Sequence, residues 1–161
     1  MLIRRLRPAD AQPTRDIFVA SVLTGAAGRY TKAELIAWLP DPAMPDDWGD
    51  WLNEHITFVA EDAARLTGFM MIERDGYLNM AFVLPDHMGK GTADALYAAI
   101  LAETQTLPVN RLTTLASRYF QSFLIRHGWQ VAPDFTHKDL DPDQSGSNPY
   151  NRPMALPLEP K

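Results

Sequence analysis

The segment from Tyr77 to Leu107 places the strongest constraint on how this 161-residue chain can fold. It begins with an apolar run, ending at Leu84, that is rich in residues favouring β-strands. A turn from Pro85 to Gly91 follows, in which two glycines flank a lysine. From Thr92 the apolar residues recur with helical spacing and form one face, made of Ala93, Leu96, Tyr97, Ile100 and Leu101. The segment therefore predicts a strand, a glycine turn and a helix.

The start of such a helix is a candidate binding site for a phosphate group. Its first turn carries unpaired backbone N–H groups and a partial positive charge. Gly89 and Gly91 have no Cβ, so the backbone can approach a ligand closely and adopt a positive φ angle. Lys90 adds a cation. An ordinary strand-to-helix connection would carry similar glycines, and the spacing matches neither the dinucleotide fingerprint nor the P-loop.

The turn resembles the pyrophosphate loop of the GNAT superfamily of acetyl-CoA-dependent N-acetyltransferases, whose pattern is Q/R-x-x-G-x-G/A. Here Val83-Leu84-Pro85 precedes the motif, and Met88 stands where Gln or Arg is usual. The resemblance implies that the pyrophosphate binds to the N–H groups of Met88, Gly89, Lys90, Gly91, Thr92 and Ala93. It also implies that a bulge splays the preceding strand from its neighbour, and that this edge binds the pantetheine through Ala81, Phe82 and Val83.

A second stretch, from Ser117 to Trp129, resembles the later family motif N/S-x-x-A-x-x-F-Y-x-x-x-G-F. The positions that fit are Ser117, Phe123, Gly128 and Trp129. Phe120 replaces the alanine, and Leu124 replaces the tyrosine that many members use to protonate the departing thiolate. The resemblance adds Ser117 and Phe123 to the implied coenzyme site.

Together the two motifs imply the GNAT fold over one α/β domain, residues 1–161. That fold has a mixed, mostly antiparallel central sheet of six to seven strands, flanked by about four helices. Residue patterns predict strands at Leu2 to Leu6, Ile56 to Ala60, Leu66 to Glu73, Tyr77 to Leu84, Arg111 to Ala116, Trp129 to Ala132 and Met154 to Leu158. The last of these is expected to lie at an edge of the sheet.

Composition excludes several other classes of protein. The net charge of −5, with dispersed Lys and Arg, argues against nucleic acid as a partner. No apolar run reaches the length of a membrane span and no signal-peptide pattern is present, so we expect a cytoplasmic protein that binds no membrane. The absence of cysteine excludes disulfides and a thiol nucleophile. No metal is expected, and a homodimer is possible because dimers are common in the family.

The resemblance further implies that the N-terminal helices line the pocket of the acetyl acceptor, where Tyr30 and Trp38 are candidate contacts. Trp38, Trp48 and Trp51 lie among carboxylates and can form an aromatic floor for an ammonium group. Alternatively, these tryptophans pack the helices onto the sheet, which is the commoner role of buried aromatic residues.

Direct acetyl transfer requires a base, because a primary amine is mostly protonated near neutral pH. The candidates are Glu73, Asp75, His87 and His137, each of which can equally be a surface residue. Leu124 cannot act as the acid, which leaves water or another group to protonate the thiolate.

Three functions follow from these patterns. The first is N-acetyl transfer from acetyl-CoA to a small-molecule amine in a ternary complex. The second, motivated by Met88 and Leu124, is a non-catalytic domain that binds or senses acyl-CoA. The third is acetylation of lysine side chains in proteins.

Overall fold

A computed structural model of the chain describes residues 1–25, 28, 30–136 and 151–160. The strands within these residues are β1 Leu2–Arg5, β2 Ile56–Asp62, β3 Arg65–Ile72, β4 Leu78–Val83, β5 Arg111–Ala116, β6 Gln130–Val131 and β7 Arg152–Pro157. The α-helices are α1 Ala11–Ala20, α2 Lys32–Trp38, α3 Trp48–Glu54, α4 Thr92–Thr104 and α5 Arg118–Arg126. None of the described helices is both long enough and apolar enough to cross a membrane.

The strands form two sheets that meet at one point. β1, β2, β3 and β4 pair in that order, and β5, β7 and β6 form the second sheet, with antiparallel neighbours throughout. A parallel bridge between Tyr77 and Thr113 joins the sheets where β4 and β5 begin. Just beyond it, the Thr114 hydroxyl donates to the carbonyl of Leu78 at 2.7 Å. Past this contact β4 and β5 belong to different sheets, which leaves a cleft between them.

A β-bulge in β4 sits next to this junction. Ile72 of β3 lies opposite Leu78, whereas Met71 lies opposite Met80, so Asn79 is an extra residue on the β4 side. Such a bulge bends the strand and increases its twist. The implied bulge is therefore confirmed, and it turns β4 away from β5 at the point where the cleft opens.

The core lies on both faces of the four-stranded sheet. On one face α4 buries Leu96, Tyr97 and Ile100, which confirms the predicted apolar face of this helix. On the other face Ile17 of α1 and Trp48 of α3 pack against the sheet. β3 runs between these two clusters, which explains why its sequence is almost continuously apolar.

The expectation that the last strand lies at an edge is wrong. β7 lies between β5 and β6, with a six-residue ladder to β5 that runs from Arg111 opposite Pro157 to Ala116 opposite Arg152. Its contact with the two-residue β6 is short. Because the other edge of β5 faces the cleft, β7 pairs with β5 on the side away from β4.

Candidate functional site

The glycine turn before α4 has the geometry of an anion cradle. Gly91 is the N-cap of α4 with φ 83°, and Gly89 has φ 71°, so both lie in the left-handed region that favours glycine. A Cβ built on either glycine would meet no atom within 4 Å. The first-turn N–H groups, which have no partner within a helix, therefore border open space. These features fit a diphosphate group.

The edge of β4 that faces the cleft presents two peptide groups of the predicted coenzyme site. The N–H of Leu84 donates to the Thr67 carbonyl at 2.8 Å, which fixes the hydrogen-bonding alternation along β4. By this alternation the peptide groups of Ala81 and Val83 point away from β3. The Val83 carbonyl accepts a hydrogen bond from the Ser21 hydroxyl at 3.2 Å, a contact that no sequence motif signalled.

Phe82 does not share this orientation. It lies between Ala81 and Val83, so its peptide group points towards β3. Its ring packs edge-on against Phe18 at 4.9 Å and lies 5.7 Å from Phe69. Phe82 was predicted to bind the pantetheine together with Ala81 and Val83, but its peptide group points towards β3 and not towards the cleft.

The later motif forms α5 and its packing against α4. The Ser117 hydroxyl caps the helix by accepting from the Phe120 N–H at 3.3 Å. Phe123 stacks on Phe120 at 4.8 Å and meets the edge of Tyr97 at 5.6 Å. Leu124 is fully buried. In this structure the motif holds two helices together, and the implied coenzyme contacts of Ser117 and Phe123 stay predictions.

An acidic residue in the first turn of α4 is compensated from α5. Asp94 accepts hydrogen bonds from His127 at 2.9 Å and from Arg126 at 3.0 Å. Burial favours the protonated form of Asp94, but these hydrogen bonds outweigh it and lower the pKa of the carboxyl below its usual value. Since α5 supplies the countercharge, Asp94 does not cancel the positive end of α4.

Glu73, one of the predicted bases, lies next to the bulge in β4. It follows β3, is 8% exposed, and accepts a hydrogen bond from the Asn79 amide at 2.7 Å. Its N–H donates to the Tyr77 carbonyl at 2.9 Å. Burial and then the charge of Glu73 raise the pKa of Tyr77 to about 12. A buried carboxylate, an amide and a phenol thus converge beside the bulge.

The other base candidates lie elsewhere. Asp75 is exposed in the β3–β4 turn, where it accepts from the Tyr77 N–H at 3.1 Å and lines a separate surface cavity of about 990 Å³. His87 precedes the glycine turn and pairs with Asp86 at 2.9 Å. His137 lies outside the described residues. Among the described residues, no three His, Cys, Asp or Glu side chains group as a metal site.

Of the two residues predicted to contact the acceptor, the structure describes the side chain of Tyr30, and the predicted role of both stays a prediction. Tyr30 is 7% exposed, and the guanidinium of Arg118 lies over its ring at 5.4 Å. This contact places Tyr30 next to the start of α5. Tyr30 was grouped with the N-terminal helices, whereas α5 lies in the C-terminal part of the chain. The side chain of Trp38 is not among those described.

The packing interpretation is confirmed for Trp48. It is 5% exposed, and its ring contacts Phe18 and Trp51 at 5.6 and 6.1 Å. A cation does lie over Trp48, but it is the chain's own Arg15, at 5.0 Å. Arg15 also donates to the Asp41 carbonyl at 2.7 Å, so this stack ties the loop after α2 to α1.

Comparison with known proteins agrees with this geometry. The family model described as an acetyltransferase (GNAT) domain matches residues 28–139. An uncharacterized N-acetyltransferase of Escherichia coli K12, YafP, is 29% identical over 131 residues, which are 80% of this chain and 81% of that protein.

Solved structures show the same fold. A GCN5-related N-acetyltransferase from Rhodopseudomonas palustris has a TM-score of 0.79 at 23% identity, with 98% of this chain and 95% of that chain covered. PaiA from Thermoplasma acidophilum, in complex with coenzyme A, has a TM-score of 0.73 at 16% identity over 98% of both chains. YncA from Salmonella typhimurium, with acetyl-CoA, has a TM-score of 0.67 at 18% identity, covering 100% and 95%. Because the family model spans more than half of the sequence, the chain belongs to the GNAT family of acetyltransferases and is an acyltransferase.

Proposed function

We propose that this protein transfers the acetyl group of acetyl-CoA to the amino group of a small-molecule acceptor by direct attack in a ternary complex. The observation that carries the proposal is that β4, at whose edge the two sheets separate, leads along the chain into the open glycine turn at the start of α4. Two structures of the same fold hold coenzyme A or acetyl-CoA, which supports this coenzyme here.

The coenzyme-binding residues follow from this path. The N–H groups of residues 88–93 would hold the pyrophosphate, with Lys90 as an exposed cation beside them. The peptide groups of Ala81 and Val83 would hydrogen-bond the pantetheine amides along the edge of β4. Acetyl-CoA supplies the acetyl group as a thioester. A backbone N–H on the same edge can stabilise the charge that develops on the thioester oxygen.

Direct attack fits the residues available. The chain has no cysteine, and so it lacks the usual thiolate nucleophile for a covalent acetyl-enzyme. The acceptor amine must then reach the thioester itself, which places the acceptor beside the bulge where the two sheets separate.

Glu73 is the best-supported base for this step. Its carboxylate lies beside the bulge in β4, where the Asn79 amide donates a hydrogen bond to it, and a carboxylate in this position can accept the ammonium proton directly or through one water. Asp75 lies in an exposed turn and His87 pairs with an exposed aspartate, whereas Glu73 is buried next to the bulge in β4.

Leu124 leaves the chain without the usual acid at that position. It is fully buried among apolar residues. A thiol has a pKa of about 8.5, so the coenzyme can depart as a thiolate and take its proton from water.

Calorimetric titration with acetyl-CoA, followed by a screen of amines with thiol release as the readout, tests the proposal. We expect saturable binding and turnover on at least one small amine. Lysine-containing peptides belong in the same screen, since preferential turnover on them would replace the small-molecule acceptor. Binding without turnover on any acceptor would favour a non-catalytic domain that binds or senses acyl-CoA, the alternative motivated by Met88 and Leu124. Absence of binding would refute both.

A further inference from the structure

Tyr119 connects α5 to the glycine turn across 31 residues of sequence. It lies in the first turn of α5, directly after the Ser117 cap, and is half-buried. Its hydroxyl donates a hydrogen bond to the thioether sulfur of Met88 at 2.9 Å. The side chain of Met88 thus links the phenol oxygen to the backbone at the start of the anion cradle.

The sulfur is a poor partner for this donor. A thioether is a weak, neutral hydrogen-bond acceptor. A phosphate oxygen carries charge, and hydrogen bonds to charged acceptors are roughly twice as strong as neutral ones. A diphosphate bound at Gly89 and Gly91 would therefore compete with Met88 for the Tyr119 proton.

The sequence of the turn leaves a place for such a donor. Met88, the first residue of the proposed cradle, has no N–H or O–H in its side chain. The space over Gly89 and Gly91 is open. Lys90 is exposed and can rotate freely into solvent, whereas Tyr119 is anchored by α5.

We propose that Tyr119 is a further coenzyme-binding residue, whose hydroxyl exchanges the Met88 sulfur for a pyrophosphate oxygen when the coenzyme binds. This role rests on the proposed function, because it requires a diphosphate in the cradle. Tyr119 supplies from α5 a side-chain donor that Met88 cannot provide.

The first experiment compares Tyr119→Phe with Tyr97→Phe by calorimetric titration. The control removes a hydroxyl of the same kind, since the Tyr97 hydroxyl accepts from Trp129 in the core and lies in the same pair of helices. Each variant is titrated with coenzyme A and with pantetheine, which lacks the diphosphate. Tyr119→Phe is expected to weaken coenzyme A binding about ten- to a hundredfold and to leave pantetheine binding unchanged. Tyr97→Phe is expected to leave both affinities unchanged.

The second experiment follows the sulfur directly. With ¹³C-methyl methionine, the Met88 resonance can be assigned through Met88→Leu among the seven methionines. Coenzyme A is expected to shift this resonance in the wild type, because the sulfur loses its O–H donor, and pantetheine is expected to leave it in place.

Two results would overturn the inference while leaving the proposed function intact. One is that the wild type binds coenzyme A and the Tyr119→Phe variant binds it with equal affinity. The other is equal weakening of coenzyme A and pantetheine by Tyr119→Phe, since the lost contact would then lie away from the diphosphate. A wild type that does not bind coenzyme A at all would instead refute the proposed function.

Discussion

The two ends of the cleft are built in different ways. At the end near α4, the cradle comes from one short stretch of backbone, in which Gly89 and Gly91 hold left-handed conformations before a helix. At the end near Glu73, a buried carboxylate is positioned by a side chain on the neighbouring strand, Asn79, and lies beside Tyr77. One site is made of peptide groups and the other of side chains.

This difference determines how each end responds to change. Peptide N–H groups survive most substitutions, so the cradle should fail only when its space is filled or its backbone is distorted. The function of Glu73 depends on one ionisable group, so removing that group should stop the chemistry without disturbing coenzyme binding.

The largest effect on coenzyme binding is expected from Gly91→Trp. The indole would fill the space over the start of α4, and coenzyme A affinity should fall by about a hundredfold or more as the first-turn N–H groups become inaccessible. Gly128→Trp is the matched control, because Gly128 is also exposed with φ 85° and its nearest neighbour would be Leu156 at 3.7 Å. Both should lose similar stability in thermal melts. Equal coenzyme A affinity in the two variants would show that Gly91 does not lie at the binding site.

Glu73→Gln is expected to affect the chemical step at the other end of the cleft. It keeps the size of the side chain but removes the proton acceptor, so kcat should fall by about 10²- to 10⁴-fold while coenzyme A affinity stays within twofold of the wild type. Asp75→Asn, which alters the exposed turn, should leave kcat nearly unchanged. If the two variants exchanged these results, Asp75 would be the base.

Asp10 shows what a buried carboxylate with a structural role looks like. It is 6% exposed and accepts hydrogen bonds from Arg4 at 2.7 and 3.0 Å and from the Arg7 N–H at 2.7 Å. Burial alone would raise its pKa, but these bonds, with Arg4 first among them, outweigh burial and lower it. Asp10→Asn should therefore lower the free energy of unfolding by about 2–3 kcal/mol and leave kcat unchanged in folded protein.

The pH dependence of stability gives the sign of this effect. Because the folded pKa of Asp10 is lowered, its contribution is complete above the ordinary aspartate pKa of 3.8 and is lost as the pH falls through the lower, folded value. In chemical denaturation at a series of acidic pH values, the free energy of unfolding should fall less steeply with decreasing pH in Asp10→Asn than in the wild type. Parallel curves would show that Asp10 does not contribute in this way.

Ser117→Ala is expected to give the smallest effect and decides between two roles. As a helix cap, Ser117 should contribute about 1 kcal/mol to stability, and its loss should barely change coenzyme A affinity. If affinity falls tenfold while the melting temperature holds, Ser117 contacts the coenzyme as the family motif implies.

The features predicted correctly from sequence are those set by local rules. The helix predicted from Thr92 begins there, and its buried face holds Leu96 and Ile100 as the spacing indicated. The strand predicted from Arg111 to Ala116 has the same bounds in the structure. Helical periodicity, glycine conformation and strand composition act over a few residues, so a sequence pattern is enough to find them.

The features that sequence missed join residues that are far apart in the chain. Arg15 lies over the ring of Trp48, one of the tryptophans proposed as a floor for a substrate ammonium group, across 33 positions of sequence. Tyr119 reaches Met88 across 31 positions. No short pattern distinguishes these contacts from ordinary surface residues, because each partner satisfies its local geometry equally well without the other.

The sequence by itself determined a strand, a left-handed glycine turn and a helix whose free N–H groups suit an anion, since these depend on backbone sterics and local spacing. Only the tertiary structure decided that the sheet divides between β4 and β5, that β7 lies between β5 and β6, and that Glu73 accepts a hydrogen bond from Asn79 at the bulge. Strand neighbours and side-chain convergence are selected by the free energy of the whole packed chain, in which distant segments compete for the same edges.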